Sequence, residues 1–156
     1  MLGLIVDTSH RYLAVGLVDN DRLIASREED MARKQSEMLV PFVDEVFKEV
    51  NKDVNDLDYI VVTDGPGSYT GMRIGLTFTK VLALTMPEDF KVYRVNTLLS
   101  LSGLNNGFSF IDARAKRVFG AYVEKGQVRE EKVYKMTEVP QDVELYGDCH
   151  LLDLPD

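Results

Sequence analysis

Ile5–Leu23 reads IVDTSHRYLAVGLVDNDRL, and Phe110–Val128 reads FIDARAKRVFGAYVEKGQV. Laid over each other at a shift of 105 residues, the two need no gap: Asp7 meets Asp112, Leu13 meets Val118, Val18 meets Val123 and Asp19 meets Glu124. Each copy reads as an apolar strand ending in aspartate, a basic turn, a second strand, a polar turn and a third strand. Hairpins in general share that pattern. An aspartate at the same place in a gap-free register points instead to an internal duplication.

The chain between the copies supplies the rest of the first lobe. Leu4–Asp7, Leu13–Val18 and Leu23–Arg27 read as strands. Ser36–Val50 has Leu39, Val43, Val46 and Val50 at helical spacing, with Phe42 and Phe47 beside them, and Pro41 near its start is expected to bend it. Tyr59–Thr63 (YIVVT) is a strand apolar on both faces, which suits a covered sheet. Residues 64–75, DGPGSYTGMRIG, then lead into a helix over Thr70–Met86, with Ile74, Phe78, Val81, Leu82 and Thr85 on one side and Pro87 as the stop. A strand over Lys91–Val95 and a short helix over Thr97–Leu104 follow. The order β-β-β-α-β-α-β-α gives a mixed sheet with packed helices. The reading divides the chain into a full first lobe, residues 1–104, and a clipped second lobe, residues 105–156, whose last stretch shows no long helical pattern.

The bulk numbers narrow the function classes. The 156 residues suit one domain or two small lobes, and 45% hydrophobic with 28% charged residues is ordinary for a globular protein. No apolar run reaches the roughly 18 residues that span a membrane. The first residues lack the basic and apolar regions of a signal peptide, and with Cys149 the only cysteine a reducing cytoplasm is the expected compartment. A net charge of −8 argues against a chain that holds nucleic acid by itself. The densest basic cluster, Arg114, Lys116 and Arg117, is too small for that role, so contact with RNA is expected only beside a more basic partner.

Two β-β-β-α-β-α lobes, each with an aspartate closing its first strand, describe the α/β actin-like ATPase (ASKHA, RNase H-like) fold, here with an incomplete second lobe. Within that group, IVDTS, RKQSEMLVPFVDEV, LDYIVVTDGPGSYTGMRIGLTFTKVLAL, VNTLLSL and FIDARAKRVFGAYV, in this order and spacing, resemble the TsaB (YeaZ) family. The resemblance runs from Leu4 to about Gly147, and GPGSYTGMRIG is its most specific part. It implies a cytoplasmic, non-catalytic partner in the machinery that installs threonylcarbamoyl on the adenosine beside the tRNA anticodon. Such a protein pairs with the catalytic paralogue TsaD or with a second copy of itself, is joined by the ATPase TsaE, meets tRNA only through the complex, and needs no membrane. No cofactor is required by the isolated chain, with ATP allowed in the complex. An older glycoprotease-like description keeps an alternative open: an independent ATP-binding or metal-peptidase-like enzyme.

The residues can be asked about each activity. The catalytic paralogue is similar to proteins with an HxxxH helix, two histidines on one face; here that helix begins QSEMLVPF, and many relatives carry histidine where this chain has Gln35. His10 and His150 are the only histidines, and neither has a ligand at helical metal spacing, so no metal site is expected. Cys149 with His150, and Ser9 with His10, are sequence neighbours that point apart in a strand, and no G-x-S-x-G elbow exists. The glycine loop has no Walker lysine. In the actin-like fold phosphates sit at the hairpin turns, so Asp7, Thr8, Ser9 and Asp112 are the candidate nucleotide contacts; a purely local role, capping the strand end, fits them as well.

Gly71 and Gly75 share a helix face, at about 1 kcal/mol each against alanine. Something must come close, either the first helix of this chain or a helix of another. The first helix is apolar over more than one face, a mark of an interface if it is not all core. The resemblance favours the interface, with Met38, Leu39, Phe42, Val46, Gly71, Arg73, Ile74, Gly75 and Phe78 as its residues. Phe42→Glu is then expected to abolish the heterodimer and leave the fold intact.

Overall fold

The computed structural model describes residues 1–152. The chain divides into two compact units, Met1–Asp64 with Ser68–Val95, and Gly65–Gly67 with the chain from Asn96 onward. The first unit holds β1 (Leu2–Asp7), β2 (Tyr12–Asp19), β3 (Arg22–Asp30), α1 (Gln35–Glu49), β4 (Tyr59–Thr63), α2 (Tyr69–Thr85) and β5 (Lys91–Val95). The second holds α3 (Thr97–Ser102), β6 (Gly107–Asp112), β7 (Arg117–Glu124), β8 (Gln127–Lys135) and β9 (Leu145–Gly147). The sheets run β3-β2-β1-β4-β5 and β8-β7-β6-β9. In both, an antiparallel three-strand meander meets a parallel strand beside its first member. This is the duplicated α/β actin-like architecture. No helix among the described residues is long and apolar enough to cross a membrane.

The duplication survives in detail. Adding 105 to the bounds of β1, β2 and β3 returns those of β6, β7 and β8. The second hairpin of each unit turns on two left-handed residues at matching places, Asn20 and Asp21 (φ 47° and 67°) and Lys125 and Gly126 (φ 52° and 72°). That backbone matches the twist of paired strands. The first hairpins differ: Asp7 pairs with Ala14, whereas Asp112 pairs with Val118, so the second turn is one residue shorter.

In the first unit, alternation aims Leu2, Leu4 and Val6 of β1 and Leu13, Val15 and Leu17 of β2 into one core under the helices. Leu39, Phe42, Val43, Val46 and Phe47 of α1 fill that core, and the helix runs through Pro41 unbroken. The face that α2 turns to the sheet is made of Gly71, Gly75 and Thr79, one residue per turn, all small. This corrects the side expected from the apolar spacing: Ile74, Phe78 and Leu82 flank the buried stripe, and Val81 is exposed. Small residues let the helix lie close, so its larger ones are displaced sideways.

In the second unit, Phe108 packs edge-on to Tyr122 and Tyr134, with ring centroids 5.0 and 5.1 Å apart. Val139 and Cys149, from the segment after β8, close that face. Leu98 and Leu101 of α3 cover the other face, over Ile111 and Ala121, so this helix packs on the second sheet.

Candidate functional site

The β1–β2 turn is built around one carboxylate. Asp7 Oδ1 accepts the Ser9 N–H (2.9 Å), the Ser9 hydroxyl (2.6 Å) and the Thr63 hydroxyl from the end of β4 (2.7 Å). Asp7 Oδ2 lies 3.4 Å from His10 Nε2. Burial pushes the Asp7 carboxyl up, but the hydrogen bond and charge of His10 and the donors of Ser9 outweigh it and hold it below the ordinary 3.8. Parallel pairing of Val6 with Val62 is what brings Thr63 alongside Asp7. The turn is clamped on two sides: the Gln35 side-chain amide donates to the carbonyls of His10 and Tyr12, and the Ser68 N–H donates to Ser9 O at 2.7 Å.

Thr8 explains the glycines. Its hydroxyl donates to Gly71 O (2.6 Å) and accepts the Gly75 N–H (3.1 Å). Those two groups form one rung of the α2 ladder, and the hydroxyl bridges it. A Cβ on Gly75 would sit 2.6 Å from Thr8 Oγ1, and one on Gly71 only 2.2 Å from the Thr8 carbonyl oxygen. The close approach that the sequence demanded therefore comes from the β1–β2 turn of the same unit. Ser68 begins the helix, accepting the Gly71 N–H at 3.2 Å.

The structure thus brings Asp7, Thr8 and Ser9 together, with Thr63, His10 and Gln35 as partners that sequence reasoning did not assign. The Thr8 and Ser9 hydroxyls are buried and spend their protons on Gly71 O and Asp7. Ser9 gives its hydroxyl proton to the same Asp7 oxygen that accepts from Thr63. Asp112 lies in the other unit. It is exposed, its Oδ1 accepts the Arg114 N–H (2.8 Å), and its own N–H donates to the Asp148 carboxylate (2.7 Å). His150 lies in a short helical turn of that same unit, Cys149–Leu152.

The residues expected at a partner interface separate into two groups. Leu39, Phe42 (1% exposed) and Val46 (0%) are core, and Gly71 and Gly75 are buried against Thr8. The sheet and α2 together consume more of the α1 surface than one stripe, so Phe42→Glu would break the fold rather than test an interface. Met38, Ile74 and Phe78 are partly buried, and Arg73 is exposed with its guanidinium 5.5 Å from the Tyr69 ring centroid. What α1 and α2 leave open is a groove of about 540 Å³, lined among others by Val40, Arg73, Ile74, Phe78 and Val81. Val40 and Val81 are 61% and 58% exposed. The signal that could have found them is an apolar residue on each helix standing off the buried stripe.

Comparison with known proteins agrees with this architecture. A family model described as TsaD, tRNA N6-adenosine threonylcarbamoyltransferase, matches residues 24–141. A Bacillus subtilis protein named tRNA threonylcarbamoyladenosine biosynthesis protein TsaB is 33% identical over 83% of this chain and 58% of its own length. The Escherichia coli protein of the same name is 26% identical over 80% of this chain and 55% of its own. The chain therefore spans a little over half the length of these relatives. A Pseudomonas aeruginosa structure, described as an uncharacterized protein with similarity to peptidase YEAZ, superposes with a TM-score of 0.73 at 27% identity, covering 90% of this chain and 69% of that one.

Proposed function

The chain belongs to the family that the TsaD model describes, on its TsaB (YeaZ) branch, and from that premise we propose that it is a non-catalytic subunit for threonylcarbamoyl transfer to tRNA. It docks onto a TsaD paralogue, helps recruit TsaE, works in the cytoplasm, and serves tRNA modification within that complex. The observation that carries this reading is the groove between α1 and α2, whose apolar lining includes the exposed Val40 and Val81. Contiguous exposed apolar surface on a globular unit marks a contact site. The β1–β2 turn supports a non-catalytic role that needs no cofactor of its own, because the Thr8 and Ser9 hydroxyls that would meet a phosphate are engaged within the fold.

The test is Val40→Glu with Val81→Glu. Both side chains are more than half exposed, so each change should move stability by no more than about 0.5 kcal/mol. The double variant should melt like the parent, fail to co-purify with TsaD, and fail to support tRNA modification in a reconstituted assay. Normal co-purification would overturn the docking face. Turnover of ATP by the chain alone would overturn the non-catalytic role.

A further inference from the structure

We propose that the β6–β7 turn and the end of β8 form a docking site for the phosphate backbone of a polynucleotide. Arg114, Lys116 and Arg117 come from the turn and Lys135 from the strand end, and all four are exposed. Among the described residues none of them forms an ion pair, on a chain whose net charge is −8. The neighbouring carboxylates of Asp112, Glu138 and Asp148 each accept a backbone N–H, of Arg114 at 2.8 Å, of Lys135 at 3.3 Å and of Asp112 at 2.7 Å.

The fold gathers these charges against their repulsion. Arg117 stands directly opposite Lys135 in the β7–β8 ladder, and the Met136 N–H donates to Lys116 O at 3.0 Å. Like charges directly opposite each other in a sheet are unfavourable, so the pair is best accounted for by an anion that bridges it. The turn backbone points the same way. Arg114, Ala115 and Lys116 have φ of 64°, 52° and 57°, three successive left-handed residues without a glycine. Residues other than glycine visit this region singly, and strain of this kind is retained where a site needs it. The N–H groups of Ala115 and Lys116 make no hydrogen bond among the described residues, and successive N–H groups in such turns suit anion oxygens.

A cavity of about 450 Å³ opens here, lined by Ala115, Lys116, Arg117, Lys135, Met136 and Thr137. Exposed cations spread over a turn and a strand end suit a polyanion, whose binding gains from counterion release at several phosphates. A free nucleotide offers few phosphates and needs buried, preorganised donors instead. Only the choice of tRNA as a probe rests on the function proposed above.

The test is fluorescence anisotropy of the full chain with a labelled tRNA anticodon stem-loop and with a short single-stranded RNA, between about 50 and 200 mM salt. Contacts to three or four phosphates should give a log–log salt slope of about −2 to −3. The triple variant Lys116→Glu/Arg117→Glu/Lys135→Glu should bind at least about tenfold more weakly and lose most of that slope. It should keep its melting profile and its co-purification with TsaD. Should it not fold, Lys116→Gln/Lys135→Gln, which introduces no new charge, should still flatten the slope. Equal affinity and slope for parent and variant, or no binding by the parent at the lowest salt, would overturn the site. Displacement of RNA by AMP at comparable concentration would also overturn it, in favour of a mononucleotide pocket. Failure of the parent to co-purify with TsaD would sink the proposed function and leave this measurement standing.

Discussion

Gly75→Ala should destabilise the first unit by about 2 kcal/mol, although alanine is worth about 1 kcal/mol more than glycine in a helix. The added Cβ would lie 2.6 Å from Thr8 Oγ1. The hydroxyl must move, and Thr8 is a buried, β-branched residue with little rotamer freedom. Moving it breaks its bonds to Gly71 O and from the Gly75 N–H. A buried polar group left unmet costs about 1–3 kcal/mol, and overpacking adds about as much. These terms exceed the helix gain. Thr8→Ala removes the obstacle. The nearest remaining atom of another residue is then Val62 Cγ2 at 3.5 Å, an ordinary contact, and the Gly75 N–H can close directly on Gly71 O. In that background Gly75→Ala should be neutral or stabilising by about 1 kcal/mol, a coupling of about 3 kcal/mol. Gly71→Ala is the internal control. Its Cβ meets the Thr8 main-chain oxygen at 2.2 Å, so Thr8→Ala should not rescue it. Urea unfolding of the parent, the three single variants and the two doubles measures all of this. Equal costs for Gly75→Ala with and without the Thr8 hydroxyl would refute the bridging role, as would rescue of Gly71→Ala.

Acidification should weaken the first unit through Asp7. Its carboxyl titrates below 3.8 in the folded chain, so it contributes stability above the unfolded value that is lost as pH falls through the lower folded one; urea midpoints below about pH 5 should fall less steeply in Asp7→Asn than in the parent. In the second unit, Gly147 has φ 106° and a Cβ there would sit 2.1 Å from Phe110 O. Gly147→Ala should therefore cost more than about 2 kcal/mol, read as a lower melting temperature, and an unchanged melt would show that β9 can shift away from β6.

Much of the architecture was legible because it rests on local patterns. β4 and β5 match their expected bounds, and the other strands and helices of the first unit differ only at their ends. The duplication was legible because a strand's period of two and a hairpin's turn residues are written in neighbouring positions. The aspartate closing each first strand belongs to that legible part. The faces of the helices were not. Spacing alone put Val81 inside and left Phe42 and the paired glycines open between core and interface, where the resemblance favoured the interface, because it shows which residues share a side but not what meets that side.

What the sequence by itself determined is the order of elements, the repeat, and the presence of something pressing on Gly71 and Gly75. Only the tertiary structure decided what presses there. The Thr8 hydroxyl, more than sixty residues earlier in the chain, arrives because β1 and β4 pair in parallel and α2 crosses back over them. The same pairing sets Thr63 beside Asp7, and the β7–β8 ladder sets Lys135 against the basic turn. Contacts of this kind depend on the register of strands distant in sequence, a relation between segments that no single segment encodes.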